Sequence, residues 1–358
     1  YNTRVGGNAG NSFDGTNASQ NTLIGYDAGT AITGGDNNTA VGYRALDSNT
    51  TGSNNTSVGT LSLDANTTGE RHVAVGYGAL DANTTANDNT AIGFYALTSN
   101  TTGSNNTAVG SYALQDVTTG ANNIAVGYYA GKDITTSEKN VAIGDNALRT
   151  ATTSGYNIAV GSNALYANTG GHANVAVGHK AMESNTTGED NVGIGASALY
   201  ANTTSSYNTA VGNRAMPSNT GALNTAVGSL CMYSNTSGTE NTSIGQASLY
   251  TNTTGNYNTA VGRYALRLNT TANNNSAFGH TALTSNTTGS ENTAVGRLAL
   301  YDNTTGSNNI AIGYYALQAN TTGIKNVAVG NYTLDADTGA NYCVAMGHEA
   351  LSTLNGGQ

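Results

Sequence analysis

A run of β-branched, small, β-branched and glycine residues recurs along nearly the whole chain, as in Thr39-Ala40-Val41-Gly42 and Val175-Ala176-Val177-Gly178. The glycines that close these runs mark twenty positions from Gly25 to Gly347, and every interval is 17 residues except Gly212 to Gly228, which is 16. The short interval holds the single proline, Pro217, and a contracted Asn219-Thr220-Gly221 where neighbouring copies read Asn-Thr-Thr-Gly, so the deletion falls in a turn. A fainter copy, Asn2-Thr3-Arg4-Val5-Gly6 with Ala9, precedes the series by 19 residues. The period implies about 21 coils: an irregular first coil over residues 1–20, a continuous repeat over 21–354 and a tail at 355–358.

With the marker glycine as position zero, the unit reads Asn at −4, Thr, Val or Ile at −3, Ala at −2 and Val or Ile at −1. Frequent Tyr at +1 or +2 follows, then Ala at +3, Leu at +4, Asn at +7 and Thr-Thr-Gly. The alternation over −3 to −1 is strand periodicity. Hydrophobicity assigns −3 and −1 to the core, with Thr methyls turned inward. Ala at −2 occupies 16 of the 20 marked coils, the exceptions being Leu23, Ser57, Gly193 and Ser243. It is then expected on the opposite face, as a small-residue stripe for contact with another layer or chain, or within a tight turn. The +3, +4, +7 spacing is that of one helical face and predicts a short helical or 3-10 turn after each strand.

One coil carries too few apolar side chains to bury a core, so the coils must stack. The expected fold is a parallel β-solenoid (β-roll or β-helix) with one short strand and one short turn per coil. Asn side chains at −4 and +7 would form ladders along it, and Tyr43, Tyr77 and Tyr128 would pack between coils. At ~4.8 Å per coil the stack is a rod on the order of 100 Å long.

Composition narrows the function. Only 9% of residues are charged, and the net charge of −9 comes with no Lys/Arg cluster, which argues against nucleic acid and anionic membranes as partners. No apolar run is long enough to span a bilayer, so membrane insertion is not expected. The chain starts at Tyr1 without Met or a leader pattern, as a mature, trimmed or excerpted chain would. Cys231 and Cys343 fall seven coils apart, ~33 Å at ~4.8 Å per coil, too far for a disulfide.

The combination of Asn-Thr-Ala-Val-Gly, Ala-Leu and Asn-Thr-Thr-Gly resembles the repeats of phage tail-fibre shafts and, more distantly, the Asn-Ser-Val-Ala-Ile-Gly repeats in the heads of trimeric autotransporter adhesins. The resemblance covers the chain from about Asn2 to Leu354. It implies a parallel β-roll or β-solenoid, commonly three chains side by side, used for surface display and attachment. The 17-residue period with adjacent Ala-Leu departs from the shorter coils of the adhesin heads.

Catalytic and cofactor chemistry finds no purchase in the pattern. Of the five histidines, His179, His280 and His348 sit at +1 in distant coils; all five, with His72 and His172, read as spaced surface imidazoles. No zinc, EF-hand, phosphate-loop or calcium-repeat motif occurs, and neither a cofactor nor an enzymatic activity is expected. Twelve coils carry an Asn-x-Ser/Thr acceptor at +7: Asn49, Asn66, Asn83, Asn100, Asn185, Asn202, Asn235, Asn252, Asn269, Asn286, Asn303 and Asn320. These are candidate glycosylation sites, and a structural Asn ladder explains the same register. Ranks of Thr raise an ice-binding surface, but the Asn-Thr-Thr-Gly threonines diverge and Thr at −3 is assigned inward. Exposed tyrosines such as Tyr43, Tyr156, Tyr250 and Tyr264 could serve a carbohydrate- or receptor-binding adhesin, yet they spread over four positions and form no single patch. The expected function is a structural subunit of an extracellular or virion filament, its partners further copies of itself and, if the surface is adhesive, glycans. Both ends break off within recognisable repeats, leaving edges expected to self-associate through ends or sides.

Overall fold

The computed structural model describes residues 1–13 and 17–352, and the expected tail at 355–358 lies outside them. Every described repeat contributes one three-residue strand, from Thr3–Val5 and Thr22–Ile24 through to Val344–Met346, and within residues 3–177 and within residues 192–346 the strands pair in parallel with their sequence neighbours. Pairing is in register at repeat positions: Ala159 faces Ala176 and Thr242 faces Thr259. This is a parallel β-solenoid. The chain forms two compact units, Tyr1–Lys180 and Ala181–Gln358, each a stack of such coils.

The two faces of the strand are reversed from the hydrophobic expectation. Ala at −2 points into the coil and is fully buried, as at Ala40, Ala91, Ala159 and Ala260, whereas Ile at −3 and −1 is about two-fifths exposed, at 40% for Ile158 and 39% for Ile143. Volume decides the matter. A 17-residue coil closes around so narrow an interior that the −2 side chain meets Ala at +3 and Leu at +4 of its own and adjacent coils, and all three positions are buried. The four exceptions at −2 confirm the geometry. Leu23 fills space left by Gly29 at +4, where an added Cβ would come within 2.8 Å of the leucine. A Cβ on Gly193 would lie 2.8 Å from Met182, the larger residue at +4. Ser57 bonds to Ser62 (Oγ–Oγ 2.6 Å), and Ser243 to Ser248 (2.6 Å). The Ala row is therefore internal packing, and the threonines at −3 face outward.

The predicted helical turn is also absent: among the described residues there is no α- or 3-10 helix. The segment after the marker glycine alternates handedness, with positive φ at +2 and +4, as at Arg44 (53°) and Leu46 (57°). Its amides bond to neighbouring coils in both directions, Arg44 N–H to Tyr26 O (3.0 Å) and Leu46 N–H to Ser62 O (3.0 Å), so no i to i−4 ladder can form. Alternation lets adjacent Ala and Leu both turn inward, which the 3-4-7 spacing had assigned to a helix. The marker glycine itself is irreplaceable by L side chains: Gly127 has φ 137°, and a Cβ there would sit 2.6 Å from Gly144 O.

Two columns of buried carboxamides run through each unit. At −4, each Asn Oδ1 accepts the backbone N–H of the next coil's Asn (Asn38 N to Asn21 Oδ1, 2.9 Å), and its Nδ2 ties the coil closed (Asn38 Nδ2 to Gly52 O, 2.9 Å). At +7, side chain bonds to side chain, as in Asn252 to Asn235 (2.8 Å) and Asn269 to Asn252 (2.8 Å). Where the column is broken, an acceptor is orphaned. Val117 follows Asn100 and Asp337 follows Asn320, and both asparagines have a buried Oδ1 without a partner.

Replacing Asn269 by Ala tests this column. It removes bonds to Asn252 Oδ1 (2.8 Å) and Ala272 O (3.1 Å) and the one received from Asn286 (3.0 Å). Denaturant unfolding of Asn269→Ala is expected to show a loss of about 2–4 kcal/mol; a change under ~0.5 kcal/mol, the range of an ordinary surface substitution, would contradict the column's structural role.

Candidate functional site: the outward face of the sheets

Reversal of the strand puts a regular array on the surface. Position −1 is apolar in every strand, from Val5 and Ile24 to Ile312, Val329 and Met346, and −3 is Thr, Val, Ile or, once, Ser276. Neither position carries a charge anywhere in the chain. Parallel in-register pairing sets identical positions ~4.8 Å apart along the stack, while −3 and −1 of one strand lie ~6.6 Å apart. Solvent-facing β-branched residues are ordinary singly; within each unit the −1 column is an unbroken apolar row, flanked at −3 by uncharged Thr, Val, Ile or Ser.

Beside this strip stand the aromatic positions +1 and +2, and here they merge. In the first unit Tyr77 stacks on Phe94 (5.6 Å between centroids), Phe94 meets Tyr95 edge-on (4.5 Å), and Tyr95 stacks on Tyr112 (6.1 Å). Tyr112 stacks on Tyr129 (5.1 Å), which touches Tyr128 (4.0 Å). The guanidinium of Arg149 covers the Tyr129 ring at 4.6 Å. The expectation of scattered tyrosines is corrected in part: the +1 and +2 columns, adjacent in space, form one ridge, while Tyr250 at +5 stacks on Tyr233 (5.1 Å) and Tyr156 at −5 lies outside it. The second unit has a smaller counterpart in Tyr314, Tyr315 and Tyr332. Because many ring faces rest on one another, the ridge presents substantial edge and hydroxyl surface.

The twelve sequon asparagines lie elsewhere. Asn49, Asn66, Asn83, Asn100, Asn185, Asn202, Asn235, Asn252, Asn269, Asn286, Asn303 and Asn320 are all at most 1% exposed. In Asn66, for instance, Nδ2 donates to Asn49 Oδ1 (2.8 Å) and Gly69 O (3.0 Å), so a glycan on that nitrogen would displace both bonds and has no room. Of the histidines, His179 and His348 are exposed as expected, but His72 is fully buried in the −4 column. Cys231 is buried at +3 against Ser243 Oγ (2.9 Å) and Ser248 Oγ (3.1 Å), with burial pushing its thiol pKa up; both cysteines are free. Among the described residues no group of three His, Cys, Asp or Glu could hold a metal ion, and no helix is long and apolar enough to cross a membrane.

One charged column accompanies the aromatic ridge. Asp47, Asp64 and Asp81 hold +5 in consecutive coils, and Arg44 reaches Asp64 (3.0 Å) and Asp47 (3.4 Å). Desolvation outweighs Arg44 at Asp64 and pushes its carboxyl up to about 6. Burial raises Asp81 as well.

Two outcomes are expected. Intact mass of protein made in a glycosylating host should equal that of the bare chain, and one N-linked glycan on the folded protein would overturn the buried assignment. For Asp64, a pKa raised above its unfolded value of 3.8 means that its contribution is complete below about pH 4 and is lost as pH rises through about 6. Asp64→Asn should therefore gain in thermal midpoint over wild type as pH is raised from 4 to 7.5, since the half-exposed ion pair with Arg44 that it gives up is worth little. A difference that stays flat over that range would refute the assignment. No protein-family model and no curated protein matches this chain, so its function has to be argued from the outward face itself.

Proposed function

We propose that this protein is a structural, non-catalytic subunit of a filament, self-associating side by side through the outward −3/−1 face. The observation that carries the reading is the unbroken apolar −1 column on a solvent-facing surface. An exposed sheet face under no constraint would drift toward Lys, Glu or Gln, and this one never does. Eleven strands of the first unit at ~4.8 Å make a strip about 50 Å long. At a width on the order of 10 Å the two strand columns offer roughly 500 Å², and the aromatic ridge from Tyr77 to Tyr129 widens the strip beside them toward the ~800 Å² per partner of a stable protein interface. A second copy is the occupant this favours, because a flat uncharged strip offers an equally flat uncharged strip its best match. The extracellular or virion setting follows the resemblance of the repeat to tail-fibre shafts.

Two other readings use neighbouring surface. Thr at −3 faces outward in regular ranks beside Val or Ile, which removes the objection to ice binding raised by an inward threonine. A carbohydrate-binding adhesin would use the aromatic ridge, whose rings spend part of their faces on one another.

Size-exclusion chromatography with light scattering discriminates. The wild-type chain at micromolar concentration should run as an oligomer. A Val126→Lys/Ile143→Lys variant, altered only at exposed strand positions, should keep its β-sheet circular dichroism and weaken association at least about 100-fold, since each buried lysine leaves a desolvated charge. A monodisperse wild-type monomer would defeat the proposal. Thermal hysteresis in that monomer would transfer the face to ice, and binding on a glycan array would favour the adhesin.

A further inference from the structure

We infer that His72 is an acid-sensitive fault in the first unit: protonation of its Nδ1 breaks the −4 column and opens the stack locally between the coils that carry His72 and Asn89. The −4 position is Asn in 19 of 21 repeats, and His72 and Cys343 are the two departures. His72 stands in for asparagine atom by atom. Its Nδ1 takes the place of Oδ1 and accepts the Asn89 backbone N–H at 3.2 Å, as Asn89 Oδ1 in turn accepts from Asn106 N at 2.8 Å. Its Nε2 takes the place of Nδ2 and reaches Ala86 O at 2.7 Å, as Asn55 Nδ2 reaches Gly69 O at 3.0 Å. These two bonds select the neutral tautomer with the proton on Nε2. An asparagine acceptor cannot titrate, but this one can. A proton on Nδ1 would face the N–H of Asn89 donor to donor inside a site with no exposure.

The surroundings supply no relief. Asn83 and Asn89 border the ring, Asn55 Oδ1 accepts the His72 backbone N–H (3.0 Å), and the Asn83 Nδ2 at 3.1 Å gives a proton to Asn66 Oδ1 (2.8 Å). The charged groups facing the site are Arg71, Asp88 and Glu70. Arg71 and Asp88 neutralise each other through bonds of 2.7 and 2.9 Å, and Arg71 also holds Glu70 at 2.8 Å. Desolvation, chiefly, holds the imidazole below its usual 6.5, with Arg71 adding to this while the Ala86 carbonyl and Asp88 oppose it. A base whose folded pKa is depressed contributes stability that is present above the unfolded value and lost as pH falls. Opening of the coil is accordingly favoured up to tenfold for each pH unit below about 6.5.

Hydrogen exchange read by mass spectrometry tests this with His72→Asn, which restores the residue that the other coils carry. At pH 7.5 both proteins should protect peptides spanning residues 70–92 equally. At pH 4.5 those peptides should exchange between about 10- and 100-fold faster in wild type than in the variant. Peptides over residues 141–177 should show no difference, and neither should any peptide of His179→Asn, an exposed histidine of the same unit. Comparison at one pH cancels the intrinsic exchange rate and the titration of Asp64. Equal protection of wild type and His72→Asn at pH 4.5 would overturn the inference. So would a difference spread over the whole unit.

Discussion

The structure depends on the hydrogen-bonded carboxamide inside a coil too narrow for a conventional core. Each coil must bury backbone on its inner side and satisfy it without water, and the −4 asparagine does this with both ends of its amide. Its oxygen takes the next coil's N–H and its nitrogen holds a carbonyl of its own closing turn. The +7 column extends the principle to side chain on side chain. A neutral amide is the group that offers one donor end and one acceptor end in register every ~4.8 Å without bringing a charge into the interior. Breaks in the columns show what is at stake: Val117 and Asp337 each leave an orphan acceptor behind them, and His72 keeps the column only while it stays neutral.

From that narrow interior the rest follows. In the coils from Gly42 onward only Ala, Ser or Gly stands at −2 opposite Leu, Met or Gly at +4, and Leu23 is allowed where Gly29 makes space. The β-branched residues are thereby excluded from the inside and displayed outside. Parallel register turns the display into columns, and adjacent +1 and +2 positions gather the aromatics into a ridge beside it. The proposed interface is thus a by-product of core economy: the same small residues that close the coil force the large ones onto one flat face.

The repeat, the parallel stacking, the asparagine ladders and the internal glycines at coil corners were legible in the sequence because each depends on a residue type recurring at a fixed interval. The facing of the strand was not. Alternation says that −3 and −1 share a side but is silent on which side, and hydrophobicity chose wrongly because it weighs affinity for water and ignores available volume. A signal was present: Ser57 recurs with Ser62, Ser243 with Ser248, and Leu23 with Gly29, matched substitutions that only contact inside one coil explains.

By itself, then, the sequence determined the period, the strand in every coil, the pairing of like with like and the two Asn columns. The tertiary structure decided which face is core, replaced the helical turn by alternating left- and right-handed residues, buried the twelve sequons and His72, and drew the +1 and +2 tyrosines together. The division has one physical reason. Periodicity is a property of neighbours along the chain, whereas the width of the coil, and so what can fit inside it, exists only once the chain has closed on itself.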